Sequence, residues 1–506
     1  MMRKILPHLA LSALSVLVYL GASAAVYRLG FPLDDAWIHQ TYARSLGQFG
    51  EWAYLPGQPS AGSTSPLWSG LLAAGHALGL GPYLWTYLLG WLSLAGVSML
   101  GSLLFRALAP SARGWAAAAG ALLALEWRLV WAAVSGMETL LQVLAALLVL
   151  AWLARGWGRP LALGLLIGLS AWVRPDGITL LGPALFVLAL NQWDETRLRT
   201  AGGTQRAGLL ARVRKTAAQL LQLGAGFALL FLPYLLFNAR LNGDLWPNTF
   251  YAKQAEYASL LAEPFFERLL RLGALPLVGA GLLLAPGFLF LLVQGLKRRQ
   301  WVVLGGAAWA AGYLLVYALR LPVGYQHGRY LIPMMPVFFI WGLAGTVQWL
   351  RLRSPDFWPR VLSRAGVLVV GCVLLAFWAL GARQYALDVA VIESEMVETA
   401  RWVAAHTGPD DLVAAHDIGA LGYFGRRRIL DLAGLISPEV IPFIRDEEWL
   451  AAFLDEQNAA FLVTFPGWYR YLGQHGDLVF TSGAKFAPLQ GGENMAVYRW
   501  RPRGPG

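Results

Sequence analysis

Charge is scarce in this chain. Of its 506 residues only 14% are Asp, Glu, Lys or Arg, against 57% hydrophobic. A soluble protein of this length carries roughly 25% charged residues. The shortage, a mean hydropathy of +0.52 and repeated apolar runs of about 20 residues describe a polytopic membrane protein. Cysteine is almost absent. Cys372 is the only one, so intramolecular disulfides are excluded and cysteine usage says nothing about compartment. Metal-ligand spacing is missing too: His39, His76, His327, His406 and His416 fall at no spacing that builds a zinc site. There is no Walker loop and no Gly-x-Ser-x-Gly, which leaves nothing that suggests a cytosolic nucleotide site. No internal repeat is evident. The formal net charge of +11 suits cytoplasmic loops that hold Lys and Arg against anionic lipid. No basic stripe alternates with exposed aromatics, so nucleic acid is not an expected partner.

What is present follows in chain order. Met1-Met2-Arg3-Lys4 precedes an apolar run from Ile5 to Tyr27, read as an uncleaved anchor although Ala22-Ser23-Ala24 resembles a signal-peptidase site. Further spans fit 83–105, 115–134, 138–154, 160–173, 177–191, 217–237, 275–295, 301–319, 330–349 and 365–382, about eleven in all. Leu67 to Leu80 is too short to cross. It reads as a helix at the outer surface, capped by Ser63-Thr64-Ser65 with Pro66 in its first turn. The clusters Arg106/Arg113, Arg155/Arg159, Arg197 to Lys215, Lys297 to Arg299 and Arg351 to Arg364 then fall on one side with Arg3 and Lys4. The other, outer side receives the loop 29–82 and everything after about residue 383. That tail alternates helical stretches (Ile392 to His406, Asp446 to Gln457) with strand-like runs (Leu412 to Ala415, Ile429 to Leu432, Ala460 to Thr464, Met495 to Tyr498), the pattern of a small α/β domain. The expected organisation is a transmembrane part, 1–382, and an extracytoplasmic α/β domain, 383–506.

Charges at the membrane face of a bundle are costly unless paired or functional. Asp34-Asp35 opens the first outer loop. One Asp suffices to cap the helix that follows, and the second then lacks a structural reason. Glu138 follows Ser135-Gly136-Met137 between two spans, where a carboxylate also favours a helix N-terminus. Arg174-Pro175-Asp176-Gly177 is a turn by composition whose two charges pair or line a site. Trp246-Pro247-Asn248-Thr249-Phe250-Tyr251-Ala252-Lys253 mixes aromatics, an amide and a cation that either snorkels or meets a sugar and its phosphate. Arg329, in His327-Gly328-Arg329-Tyr330, carries a fork suited to phosphate at the start of a span, where the helix dipole disfavours it. A divalent cation at Asp34/Asp35 is compatible with two carboxylates, though these alone define no site.

In this order, Asp34-Asp35-Ala36-Trp37, Gly62-Ser63-Thr64-Ser65-Pro66-Leu67-Trp68, Ser135 to Thr139, Arg174 to Gly177, Pro247 to Lys253 and His327 to Tyr330 resemble the C-superfamily (GT-C) of bacterial membrane glycosyltransferases. The likeness is greatest to the arabinofuranosyltransferase-like branch. The tail sequences His416-Asp417-Ile418-Gly419-Ala420-Leu421-Gly422-Tyr423 and Asp431-Leu432-Ala433-Gly434-Leu435 look like that branch too, so the resemblance covers nearly the whole chain. It implies transfer of a sugar from a polyprenyl-phosphate donor to a cell-envelope glycan, lipid or protein, outside the cytoplasmic membrane. An Asp of the first outer loop would sit in the active site, which carries to Asp34 or Asp35. Phosphate is already a good leaving group, so a cationic clamp serves it better than a general acid. A carboxylate that takes the acceptor proton gives inverting displacement. The assigned roles are Asp34 and Asp35 as base and acceptor-orienting pair, and Arg329, Lys253 and His327 on the donor phosphate. Glu138, Arg174, Asn248, Tyr251, His416 and Asp417 are assigned to the remaining substrate contacts. The rival reading is a transporter or flippase of lipid-linked glycans, which would show paired halves and midplane charges.

Overall fold

The apolar runs become helices because a bilayer leaves backbone groups no partner but their own segment. The computed structural model describes residues 2–200, 207–351 and 357–502. Among them, seven helices are long and apolar enough to cross a membrane: Lys4–Val26, Pro82–Leu108, Val213–Asn242, Ala280–Arg298, Trp301–Arg320, Gln326–Leu350 and Arg364–His406. One further pair, Pro110–Leu125 and Trp127–Val134, is bent by 55°. The bend falls at Glu126, whose backbone is extended and whose side chain caps the second half by accepting from Leu129 N. Three shorter apolar helices, Thr139–Arg155, Pro160–Val173 and Pro175–Asn191, lie where the sequence places its shortest spans. Two of the basic clusters, Arg197 to Lys215 and Arg351 to Arg364, run through 201–206 and 352–356, which lie outside the described residues.

Helix packing uses small residues, as it must where lipid removes the hydrophobic drive for association. Pro160–Val173 packs on Ala207–Asn242 so closely that a Cβ on Gly164 would overlap Leu223 O, and one on Gly226 would overlap Leu161 O. The first loop holds helix Asp35–Phe49, a short hairpin (Ala53–Leu55 with Gln58–Pro59) and helix Pro66–Ala77. Ser65 caps the last of these, accepting from Trp68 N, with Pro66 in its first turn.

The chain enters its tail without a linker. Helix Phe357–Ile392 continues through a buried π turn, Glu393–Val397, into Glu398–His406, so the boundary expected at 382/383 falls inside a helix. Glu393 there pairs with Arg28 (Nε to Oε2, 2.8 Å), and Glu395 accepts from Asn494 Nδ2 and Met495 N, each at 2.9 Å. The tail sheet has five strands: β1 (Leu412–Ala415), β2 (Arg428–Asp431), β3 (Phe461–Thr464), β4 (Gly476–Thr481) and β5 (Ala496–Trp500). Their order is β2-β1-β3-β5-β4. β1 runs parallel to β2 and β3, with Ala415 opposite Asp431 and Val463. β5 closes antiparallel on β3 and β4. The sequence reading lacks β4. It is a half-exposed edge strand, so it carries no continuous apolar run.

Candidate active site

The two adjacent aspartates part company. Asp34, buried at 7% exposure, accepts from Gly419 N at 2.6 Å and from Ala420 N at 2.8 Å. Its carboxylate thus ties the first loop to the tail segment that follows β1. The approach is close enough that a Cβ on Gly419 would overlap the Asp34 carbonyl oxygen. Burial first, then the neighbouring Asp417, pushes the Asp34 carboxyl up to about 8, against the two amides that favour its charge. Asp35, one residue on, turns into a cavity of ≈ 360 Å³. Its Oδ2 accepts from Arg329 Nη2 at 2.5 Å. Burial alone would raise its pKa; Arg329 and then Lys253 hold it well below the usual carboxylate range.

Arg329 and Lys253 both line that cavity, with Arg174 and Arg320. Arg329 is 4% exposed. Its Nη2 also reaches Tyr330 Oη at 3.1 Å, while its buried Nε and Nη1 have no protein partner. A desolvated guanidinium left half-unpaired is costly by several kcal/mol. Lys253 sits on helix Asn248–Glu256 and pairs with Glu256 Oε2 at 3.1 Å. Burial would lower its pKa; the charges of Asp35 and Glu256 outweigh that and raise it.

A second polar chain lines the same cavity. Glu138 joins His39 (Oε2 to Nε2, 3.3 Å) to Arg174 (Oε1 to Nη1, 3.1 Å). Arg174 also pairs with Asp176 Oδ2 at 3.1 Å and donates to Tyr317 Oη at 3.0 Å. Tyr313 and Tyr317 each donate to Asp176 Oδ2 at 2.6 Å. So Arg174 and Asp176 do pair, and the pair also lines the cavity with Glu138.

The tail roofs this space. Leu435 lines the cavity, and its carbonyl accepts from Asn248 Nδ2 at 3.1 Å. Asp431, at the end of β2, shapes that loop by accepting from Ala433, Leu435 and Ile436 N. Asn248 is therefore a bridge between helix and roof, not a cavity wall. His416, beyond β1, reaches Glu256 Oε1 at 3.4 Å and Tyr469 Oη at 2.8 Å. Burial would raise the Glu256 pKa, but His416 and Lys253 bring it down to about 2. Asp417 is pushed up to about 6 by burial first, with Asp35 and Glu256 adding to it against His416. His416 and Asp417 stand behind Lys253 and Asp34 rather than on the surface of this cavity, and Tyr251 does not line it either. His327, expected beside Arg329, faces a different cavity and pairs with Asp388 (Nε2 to Oδ2, 2.7 Å). The reason is local backbone: Gln326, His327 and Gly328 have φ of 52°, 60° and 71°, and this left-handed turn sends neighbouring side chains apart.

The divalent cation considered at Asp34/Asp35 finds no shared point there. Asp34 is taken by two amides and Asp35 by Arg329. No three His, Cys, Asp or Glu converge among the described residues. The sequence reading leaves out His39, Glu256, Tyr317 and Thr64, which meets Thr249 through their hydroxyls at 3.1 Å. His39 carried a signal, since it lies four residues after Asp35 on one helix and shares its face. Glu256 likewise lies three after Lys253. Tyr317 carried none, because only tertiary packing brings it to Asp176.

Residues 383–498 match a family model described as Domain of unknown function (DUF8728). No curated protein sequence matches the chain. Among solved structures, ArnT from Cupriavidus metallidurans bound to undecaprenyl phosphate is similar with a TM-score of 0.58 at 16% identity, covering 98% of this chain and 99% of that one. The Archaeoglobus fulgidus oligosaccharyltransferase in the apo form gives 0.58 at 12% identity, over 90% of this chain and 69% of that one. The same organism's AglB, in complex with an inhibitory peptide and a dolichol-phosphate, gives 0.57 at 14% identity over 90% and 69%. With its apolar helices followed by a C-terminal sheet, the chain shares the fold of these solved structures.

Proposed function

We propose that this chain is an integral-membrane glycosyltransferase that moves a sugar from a polyprenyl-phosphate donor to a cell-envelope acceptor, with the site on the extracytoplasmic side. One observation carries the reading: a buried guanidinium, Arg329, is paired with a carboxylate, Asp35, and both line the same cavity. Three further cations, Lys253, Arg174 and Arg320, share that wall. The similar structures contain undecaprenyl phosphate and dolichol-phosphate, ligands of the class such a clamp would hold. The order of sequence motifs supports an arabinofuranosyl group as the sugar to test first.

The chemistry is a single displacement. The acceptor hydroxyl oxygen attacks the anomeric carbon as the bond from that carbon to the phosphate oxygen breaks. The acceptor proton passes to Asp35, and the electron pair leaves on the polyprenyl phosphate. Arg329 and Lys253 stabilise the charge on that phosphate, and the anomeric configuration inverts. Asp35 in the free protein is a weak base because Arg329 holds it. A bound phosphate shares the guanidinium and brings its own negative charge, which raises the basicity of Asp35 at the moment it is needed. Asp34 serves as the clamp that fixes this loop under the roof.

Asp35→Asn is expected to fold and to lose about 10²- to 10⁴-fold in transfer rate, measured with a radiolabelled polyprenyl-phosphate sugar and membrane acceptor. Transfer at the wild-type rate would overturn the assignment of the base. Arg329→Ala is expected to weaken binding of undecaprenyl phosphate at least tenfold in titrations of the purified protein. Unchanged affinity would remove the phosphate clamp.

A further inference from the structure

A second cavity, of ≈ 610 Å³, opens between the ends of the membrane helices and the tail. Its size is that of a ligand site, about 300–1,000 Å³. Trp131, Phe465 and Trp468 line it together with Asp388, Glu493 and His327. Its character is the reverse of the first cavity: among the described residues it has two carboxylates and no Lys or Arg. An anion such as a phosphate is therefore disfavoured. A lipid tail is disfavoured as well, since it would take the charges of Asp388 and Glu493 out of water. What fits is a molecule with apolar faces and a rim of hydroxyl donors. Sugar rings have that shape: their C–H faces lie on aromatic rings and their hydroxyls donate to carboxylates.

The lining is built to hold still. Asp388 Oδ2 accepts from Trp131 Nε1 at 3.0 Å and meets His327 at 2.7 Å, and Oδ1 accepts from Gln384 Nε2 at 2.9 Å. His327 is wedged edge-on between Trp127 and Trp131, with ring centres at 5.2 and 5.0 Å. Its left-handed backbone is a conformation that persists where surroundings enforce it. Trp468, by contrast, leaves 51% of its surface exposed while Phe465 and His416 support it at 5.1 and 5.2 Å.

The cavity also lies beside the reacting carboxylate. Pro32 and Leu33 line the second cavity, and Asp35 lines the first. Consecutive Cα atoms are about 3.8 Å apart, so Leu33 and Asp35 are separated by roughly 7.6 Å at most. Gln326-His327 and Arg329-Tyr330 divide between the two cavities in the same way. Two short segments thus form a partition with a cationic cavity on one side and an acidic, aromatic one on the other.

We infer that the second cavity takes the acceptor, and that the acceptor is a glycan chain end rich in hydroxyls and free of acidic groups. Its terminal rings lie on Trp468 and Phe465, and its hydroxyls bond to Asp388 and Glu493. This rests on the transferase reading, and binding measurements separate the two. Purified full-length protein is titrated with an arabinofuranosyl tetrasaccharide, with maltotetraose, with a glucosamine tetrasaccharide, with a galacturonic acid tetrasaccharide and with undecaprenyl phosphate, following tryptophan fluorescence. At least one neutral or amine-bearing tetrasaccharide is expected to bind at least tenfold more tightly than the galacturonic acid one. Trp468→Ala and Glu493→Gln are each expected to weaken that sugar at least tenfold and to leave the affinity for undecaprenyl phosphate within twofold, which also reports that they are folded. Arg329→Ala is expected to do the opposite. Binding of undecaprenyl phosphate without any sugar, or sugar binding indifferent to both variants, overturns the inference and leaves the transferase reading standing. Binding of neither ligand class by the wild type overturns both.

Discussion

At the residue scale, one peptide bond separates two carboxylates with different work. Asp34 satisfies two buried amides, and Asp35 pairs with Arg329 at the wall of a cavity. Asp34→Asn keeps one acceptor but turns an NH₂ toward an N–H donor, so it is expected to cost about 1–3 kcal/mol. Thermal unfolding in detergent should show a lowered Tm for Asp34→Asn, and an unchanged Tm would contradict the clamp. Asp417 supplies a pH-dependent test. Its pKa rises from 3.8 to about 6 in the fold, through burial first and then the charges of Asp35 and Glu256. A raised carboxyl contributes stability that is complete below pH 3.8 and is lost as pH rises through about 6. Asp417→Asn is therefore expected to raise Tm more at pH 7.5 than at pH 4, and an equal change at both would contradict the assignment. Sequence reasoning singled out Asp34-Asp35 as a pair with one carboxylate too many for a cap. It had no means of dividing them, because the amides that claim Asp34 belong to Gly419 and Ala420, almost 400 positions away.

At the scale of elements, the segment after β1 is the joint of the molecule. Gly419 and Ala420 hold Asp34, the carbonyl of Ile418 accepts from Tyr54 Oη, and His416 reaches Glu256. Gly419 permits that approach only by lacking a Cβ. Gly419→Ala should force roof and loop apart, at about 1–3 kcal/mol, lowering Tm and transfer together; a variant as stable as wild type would mean that the contact yields. Element positions were legible wherever a run was uniformly apolar or clearly amphipathic. The bend at Glu126 was not, because Pro110–Val134 is apolar enough overall to read as one span despite Glu126 and Arg128. The half-exposed β4 was missed for the complementary reason.

At the scale of the whole molecule, the proposed topology puts the basic clusters inside and the charged site outside. With Cys372 replaced by Ser, a single cysteine at exposed Gln58 is expected to react with a membrane-impermeant maleimide in intact cells. One at exposed Arg298 is expected to react only after permeabilisation. The opposite pattern would invert the topology and place the cavity on the cytoplasmic face. The cation-lined cavity and the acidic one adjoin through segments 32–35 and 326–330.

By itself the sequence determined the membrane class, most of the helices, the sheet-bearing tail and the short polar islands that a bundle does not tolerate without use. These follow from composition and local periodicity, which every window of the chain carries. Only the tertiary structure decided which Asp faces the cavity, that His327 turns away from Arg329 while His39 and Tyr317 turn in, and that a second cavity lies across the partition. Those depend on the direction of single side chains and on contacts between residues hundreds of positions apart. Local sequence encodes neither, because a one-residue step or a left-handed turn reverses where a side chain points.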